Sequence, residues 1–145
     1  MSQLGMAVSV VNATSDAERE LGRSIRRAVF VEEQAVPLEV EVDGLDPECD
    51  HFLARLDGVP VATARARSTR SGWKLERVAV LGAHRGQAVG MALVRYMLEQ
   101  APPGVTVYVH AQESALGFWE RAGFHPRGAA FHEGGIAHRL MEREC

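Results

Sequence analysis

Residues 75–94, LERVAVLGAHRGQAVGMALV, pass from a strand-like alternation through a glycine-bearing turn into a helical pattern. Val89, Leu93, Tyr96 and Met97 recur at helical spacing after the turn. Such a turn directs free backbone N–H groups and the positive end of a helix at one spot, so it is a candidate anion site. It is not a P-loop, because Met91 follows Gly90 and no lysine stands there. It is not a dinucleotide fingerprint either, since Ala88 separates Gly86 from Gly90. What remains, Arg85-Gly86-Gln87-Ala88-Val89-Gly90, offers a cation and backbone amides suited to a pyrophosphate. The same glycines would equally serve close packing of helix on strand, and these residues alone leave both readings open.

Outward from this turn, the elements fall in a definite order. "MAVSVV" alternates as a first strand. A helix follows over "SDAERELGRSIRRAVFVEEQ", with Ser15 and Glu18 at capping-box spacing and Ala17, Leu21, Ile25, Ala28 and Val29 on one stripe. "AVPLEVEVDGLDPECD" reads as an acidic loop with at most a short extended piece. "HFLARLDGVPVATARAR" is a hairpin turning at Asp57-Gly58, and "GWKLERVAVL" is the next strand. After the central helix, "APPG" stops it, "VTVYVH" is a strand and "ESALGFWERAG" a short helix with Gly123 at its end. Extended pieces around "FHPRG" and "GIAHRLMER" complete the order β-α-β-β-β-α-β-α-β-β. This predicts an α/β (α+β) fold: a mixed, mostly antiparallel sheet flanked by helices, with a central β-α-β unit. Ligands of such sheets sit beyond the carboxyl ends of central strands, which is where the turn lies.

The chain of 145 residues is read as one domain, 1–145, with 46% hydrophobic and 24% charged residues. A net charge of −3 offers no field for nucleic acid or an anionic membrane. No apolar run reaches a membrane span and no signal-peptide layout opens the chain, so a cytoplasmic protein is expected. Cys49 and Cys145 lack the pairing of a disulfide framework or zinc site.

The turn resembles the acetyl-CoA pyrophosphate motif of the GNAT acetyltransferase superfamily, [QR]-x-x-G-x-[GA], with Arg85 first, Gly90 last and Ala88 replacing the usual central glycine. "AQESALGFWERAGF" is similar to the downstream pattern N-x-x-A-x-x-F-Y-x-x-x-G-F, with Gln112 where Asn is common and Ala115, Phe118, Gly123 and Phe124 in register. "RRAVFVEEQAVP", "DHFLARLDGVPVATARAR" and "FHEGGIAH" resemble the ElaA/YjcF-like branch, so the resemblance covers nearly the whole chain. It implies direct transfer of an acetyl group from acetyl-CoA to the primary amine of a small molecule, with no metal and with homodimers common. The alternative on the same fold is a non-catalytic protein that binds or senses acyl-CoA. By register, Val78, Ala79 and Val80 would polarise the thioester carbonyl, and a bulge there would open the sheet. Arg85, Gly86, Gln87, Ala88, Val89 and Gly90 would hold the pyrophosphate, with Gln112 and Phe118 also on the cofactor side.

The reaction needs a base, because an alkylammonium of pKa near ~10 is no nucleophile. Glu76, on the central strand, is one candidate; an ion pair with Arg65 or Arg67 is its other reading. His110 is the second, ending "VTVYVH" on the face of Thr106 and Tyr108, opposite Val105, Val107 and Val109. Glu33 is placed to meet the acceptor amine. Trp119 stands where many relatives carry an acid tyrosine, and indole cannot supply that proton. Thiolate departure unaided, or a proton from Tyr108 or His110, would replace it. If the Ala88 position requires a positive φ, its methyl group weakens the turn; if it is already helical, alanine is harmless.

Other features are set aside. "HEGGIAH" has the wrong spacing for a zinc helix, and His138 serves structure or substrate shaping. The acidic residues Glu39, Glu41, Asp43, Asp46, Glu48 and Asp50 form a solvated loop in preference to a lure for a cationic substrate. "RSIRR" is expected to be a solvated helix face.

Overall fold

The structure, a computed structural model, describes residues 7–86 and 88–143. Cys145 and Gln87 therefore lie outside the described residues. The first strand, β1, is Val8–Asn12. Helix α1, Asp16–Arg26, starts at the expected capping box: the Glu18 N–H donates to Ser15 Oγ at 3.1 Å, and the Ser15 N–H donates to Glu18 Oε1 at 3.3 Å. The helix does not continue evenly to Gln34. Arg27–Glu33 widens into a π-helical turn, a form that re-aims side chains and recurs at functional sites.

The buried face of this helix is Gly22, Ile25, Arg26 and Val29, whereas Ala17 and Leu21 are exposed. The expected stripe was thus rotated. Gly22 explains it, because a Cβ there would lie 2.7 Å from Thr63 Oγ1. Only a glycine lets the backbone rest on the sheet so closely, and the helix rolls onto that contact.

Next come a one-turn helix α2, Leu38–Glu41, and a 3-10 turn, Asp46–Glu48, in place of the expected extended piece. Strands β2, Asp50–Leu56, and β3, Val59–Thr69, form the hairpin, with Asp57 and Gly58 at φ 51° and 86° as its tight turn requires. Strand β4 is Gly72–Val80, helix α3 Val89–Gln100 and strand β5 Val107–Gln112. Helix α4, Leu116–Arg121, leads past Gly123 (φ 93°) into β6, His125–Glu133, and β7, Ile136–Arg143. Among the described residues seven strands form one sheet in the order β1-β2-β3-β4-β5-β7-β6, antiparallel except for β4 and β5. The core of Phe52, Leu75, Leu93, Met97, Val107, Phe124 and Met141 seals α3 and α4 to the sheet. Among the described residues no helix is long and apolar enough to cross a membrane.

The parallel pair sets the shape of the centre. Strand β4 pairs with β5 only at Trp73, Lys74 and Leu75. Against β3, Glu76 faces Arg65 and Ala79 faces Thr63, so Arg77 and Val78 stand opposite the single residue Ala64. This is a β-bulge, and Arg77 takes φ 54° within it. Beyond it β4 turns away from β5, leaving the facing edges of both strands without a strand partner. A non-glycine residue at positive φ costs about 1–3 kcal/mol and persists only where its surroundings enforce it. Here Arg77 Nε donates to Glu41 Oε2 at 3.0 Å, and NH2 donates to the Glu41 carbonyl at 3.1 Å and to Asp43 Oδ2 at 3.2 Å.

The acidic loop is accordingly not solvated as expected. Glu39, Glu48 and Asp50 are exposed, whereas Glu41 is buried, Asp46 half-buried, and Asp43, though exposed, turns its carboxylate onto an arginine. Arg65, 1% exposed, donates to Glu76 at 2.8 Å, Asp46 at 2.7 Å and Asp43 at 2.6 Å. Arg26, expected on a solvated face, is buried, donating to Glu41 at 2.9 Å and Asp46 at 2.8 Å. A buried guanidinium needs such a set of carboxylates, because leaving it unpaired in low dielectric is far more costly.

Burial alone would raise the carboxyls of Asp43, Asp46 and Glu76, yet the arginine charges and hydrogen bonds hold all three below their ordinary range. Carboxylates lowered on folding stabilise the protein above their unfolded pKa of about 4, and that contribution is lost as pH falls through the lower folded values. Urea midpoints are therefore expected to be insensitive to these groups between about pH 5 and 8 and to fall steeply below about pH 4. Glu76→Gln should lower stability at pH 7 by about 3 kcal/mol and flatten that acid limb. An unchanged acid limb in Glu76→Gln would show that the cluster does not carry the effect.

Candidate active site

The gap between β4 and β5 opens into a cleft of about 570 Å3, a size suited to a small ligand. Val78, Ala79 and Val80 form one wall, from the bulge onward, Val109–Gln112 the other, and Phe30 and Glu33 of the π-helical turn, with Gln34 at its end, close one side. The β6–β7 turn contributes Glu133, Gly134, Ile136 and His138. A second cavity of about 490 Å3 continues past Val80 and Phe118 over Arg85, Gly86, Ala88, Val89 and Gly90. Val80, Arg85, Gly90 and Phe118 line both. The structure thus joins the turn that opens α3 to the gap in the sheet.

Two residues of the turn before α3 take positive φ. Gly86 has φ 82° with open space around it. Ala88, the N-cap of α3, sits at φ 63°, ψ 12°, in the left-handed region that glycine occupies without strain. Of the two cases the sequence allowed for this alanine, positive φ is the one that holds. Gly90 serves packing as well, because a Cβ there would stand 3.3 Å from the Phe118 ring and 3.5 Å from Val80 Cγ2. Arg85 and Glu33, expected to serve different ligands, face each other: Arg85 NH2 donates to Glu33 Oε1 at 2.9 Å, while Arg85 Nε donates to the Val80 carbonyl at 3.0 Å. The hydrogen bond from Arg85, against a smaller effect of burial, holds the Glu33 carboxyl low.

The two expected bases fare differently. Glu76 lines the cleft, but its oxygens accept from Arg65 Nε at 2.8 Å and Arg67 Nε at 2.7 Å, with Lys74 Nζ at 3.3 Å. Its ion-pair reading is therefore the one observed. His110 lines the cleft at the end of β5, and its Nδ1 lies 3.1 Å from Glu133 Oε2. The hydrogen bond from His110 leads in lowering the Glu133 carboxyl, outweighing burial. An ionised carboxylate only accepts, so Nδ1 donates and the neutral ring keeps its lone pair on Nε2. Phe131 packs edge-on against His110 at 5.0 Å and stacks on His138 at 6.0 Å. His138 Nδ1 in turn donates to the Ile136 carbonyl at 2.7 Å.

Tyr108 is no proton source for this cleft. It is buried off the lining, with its hydroxyl 2.6 Å from Thr69 Oγ1. Trp119, 4% exposed, packs edge-on against Phe118 and Phe124 at 5.2 Å each and forms part of the wall. Gln112 Nε2 donates to Gln34 Oε1 at 2.9 Å across the cleft. Sequence reasoning passed over Gln34, Lys74 and Glu133. Glu133 lay in plain view inside "HEGGIAH", but its partner His110 is distant in sequence, and only the β5-β7-β6 order brings them together.

Residues 12–145 match the family of the acetyltransferase (GNAT) domain. The chain belongs to the GNAT acetyltransferases, an acyltransferase family, in the branch of ElaA and YjcF. It is 37% identical over 145 residues to a Bacillus subtilis protein that bears the provisional name of an acetyltransferase, covering 94% of this chain and 97% of that one. The uncharacterized N-acetyltransferase YjcF of Bacillus subtilis is 32% identical over 123 residues, covering 83% of this chain and 88% of YjcF. The crystal structure of Escherichia coli ElaA superposes with a TM-score of 0.82 at 29% identity, covering 97% of this chain and all of ElaA's (100%).

Ala88→Gly should relieve the left-handed strain and raise stability by about 0.5–1 kcal/mol, read as a higher urea midpoint. A lower midpoint would contradict the left-handed conformation at this position.

Proposed function

We propose that this acetyltransferase moves the acetyl group of acetyl-CoA directly to the primary amine of a small molecule. The observation that carries this reading is the His110–Glu133 pair beside a gap in the sheet joined to the α3 turn. The residues present fit the donor. The splayed edge Val78–Val80 has backbone groups free of any β5 partner to hold a pantetheine arm and polarise a carbonyl. The first N–H groups of α3, with Arg85 beside them, suit a pyrophosphate. When bound, acetyl-CoA supplies an activated acyl carbon; the rest falls to the chain.

Glu133 keeps the His110 ring oriented, and Nε2 takes the proton that the amine loses as nitrogen bonds to the acyl carbon and the carbon–sulfur bond opens. The electron pair of that bond leaves on sulfur. A thiol with pKa near ~8.5 departs tolerably as thiolate, and the imidazolium can return the proton to it, so no tyrosine is required at Trp119. Glu76 is left as the counter-ion of Arg65, since three cations stabilise its charged form and make it a weak base. An imidazole paired with a carboxylate inside the cleft favours transfer over mere binding of acyl-CoA.

The test is calorimetric titration with CoA, acetyl-CoA and ATP, followed by free-thiol release with amine acceptors. Saturable binding of the CoA compounds, with thiol release only when an amine is present, is the expected result. His110→Ala should lower kcat by about 100-fold or more with CoA affinity retained, and Glu133→Gln by about tenfold. An unaltered kcat in His110→Ala would remove the base assignment. Because Arg85 must leave Glu33 to meet a phosphate, Glu33→Gln should tighten CoA binding a few-fold and Arg85→Glu should weaken it strongly. Equal affinities in all three proteins would detach the turn from the ligand.

A further inference from the structure

Resting on the proposed reading of the donor, we infer that Arg95 and Arg121 hold the 3′-phosphate of CoA, so that the protein selects CoA over its dephospho form. The second cavity carries the argument. Arg85 from the turn, Arg95 from α3 and Arg121 from α4 all line it, and among the described residues no carboxylate does. The first cleft, by contrast, carries Glu33, Glu41, Glu76 and Glu133. In a chain of net charge −3, three guanidiniums from three elements converge on one cavity with no acid beside them. Such a concentration of one sign draws anionic ligands. Arg85 meets Glu33 where the two cavities join. Arg95 and Arg121 form no ion pair or side-chain hydrogen bond among the described residues. Even Glu99, one turn further along α3, does not pair with Arg95.

The chemistry of the donor divides in the same way. Its pyrophosphate suits the first N–H groups of α3, with Arg85 beside them. Its 3′-phosphate is a monoester, set off from the pyrophosphate by the ribose ring and carrying a charge of about −1.5 to −2 at pH 7. That group calls for cations of its own. Met91 and Arg95 stand one turn apart on the face of α3 that borders the cavity, and Arg95 lies about 10 Å along the helix from Ala88. At that depth the backbone N–H groups are already bonded within the helix, so side chains must supply the donors. Two guanidiniums match a phosphate dianion in both charge and donor geometry.

The experiment titrates CoA and 3′-dephospho-CoA by calorimetry into the wild-type protein, Arg95→Gln, Arg121→Gln and the double variant. The wild type should bind CoA about tenfold or more tightly than dephospho-CoA. Each single variant should weaken CoA binding about threefold to fivefold and leave dephospho-CoA unchanged, and the double variant should bind the two alike. Both arginines are exposed, so the urea midpoints of the variants should stay with that of the wild type. Equal affinity of the wild type for the two ligands would overturn the inference and leave the acyl-transfer reading standing. Equal weakening of both ligands by the substitutions would do the same, because the arginines would then serve the pyrophosphate. A preference for CoA that survived in the double variant would assign the 3′-phosphate to other groups and also overturn it. Failure of both ligands to bind the wild type would instead defeat the reading of the donor, and this inference with it.

Discussion

The molecule depends on one extra residue in its central strand. Because Arg77 and Val78 oppose only Ala64, β4 swings away from β5, and a sheet that would otherwise be closed acquires a gap. A gap between parallel strands exposes backbone donors at the middle of a packed protein, where low dielectric strengthens their interactions. The bulge is not free: its positive φ is maintained by the Arg77 guanidinium lodged on Glu41, Asp43 and the backbone of α2. The site exists because a charged side chain enforces a conformation that the backbone alone disfavours.

That enforcement extends into the surrounding charges. Glu41 is shared by Arg77 and Arg26, Asp46 by Arg26 and Arg65, and Glu76 by Arg65 and Arg67. One connected set of ion pairs therefore ties α1, the acidic loop and β3 to the bulged strand. The arrangement accounts for a carboxylate on the central strand that lines the cleft yet is a poor proton acceptor. Of the two histidines that line the cleft, His110 is the one whose ring nitrogen meets a carboxylate, that of Glu133, while His138 is fixed on a backbone carbonyl.

At the other end of the cleft, the turn before α3 combines an open glycine, a strained alanine and a helix start. Arg85 closes onto Glu33 of the π-helical turn, so the turn before α3 and the helix that borders the cleft share an ion pair. Exposed pairs of this kind contribute little, because solvent screens them and ordering two long side chains costs entropy, so a phosphate can exchange places with the carboxylate. Gly90 then lets Phe118 and Val80 converge, joining the two cavities.

Local chemistry was enough to predict the element order, the Ser15 capping box, the Asp57-Gly58 turn, the stripe of α3 and the mixed sheet. Each depends on residues near one another in the chain, where periodicity and turn propensity act directly. The ordered motifs likewise marked the family and the turn Arg85–Gly90. What the sequence could not decide were relations across the fold. Gly22 against Thr63 turned the expected face of α1; the arginines of β3 and β4 drew the acidic loop inward; and strand order brought Glu133 to His110. The conformation of Ala88 and the bulge at Arg77 belong with these, since their φ values are held by packing and ion pairs and not by the residues' own preferences. Tertiary structure decides wherever a side chain's partner lies far along the chain, because only the folded sheet sets the distance between them.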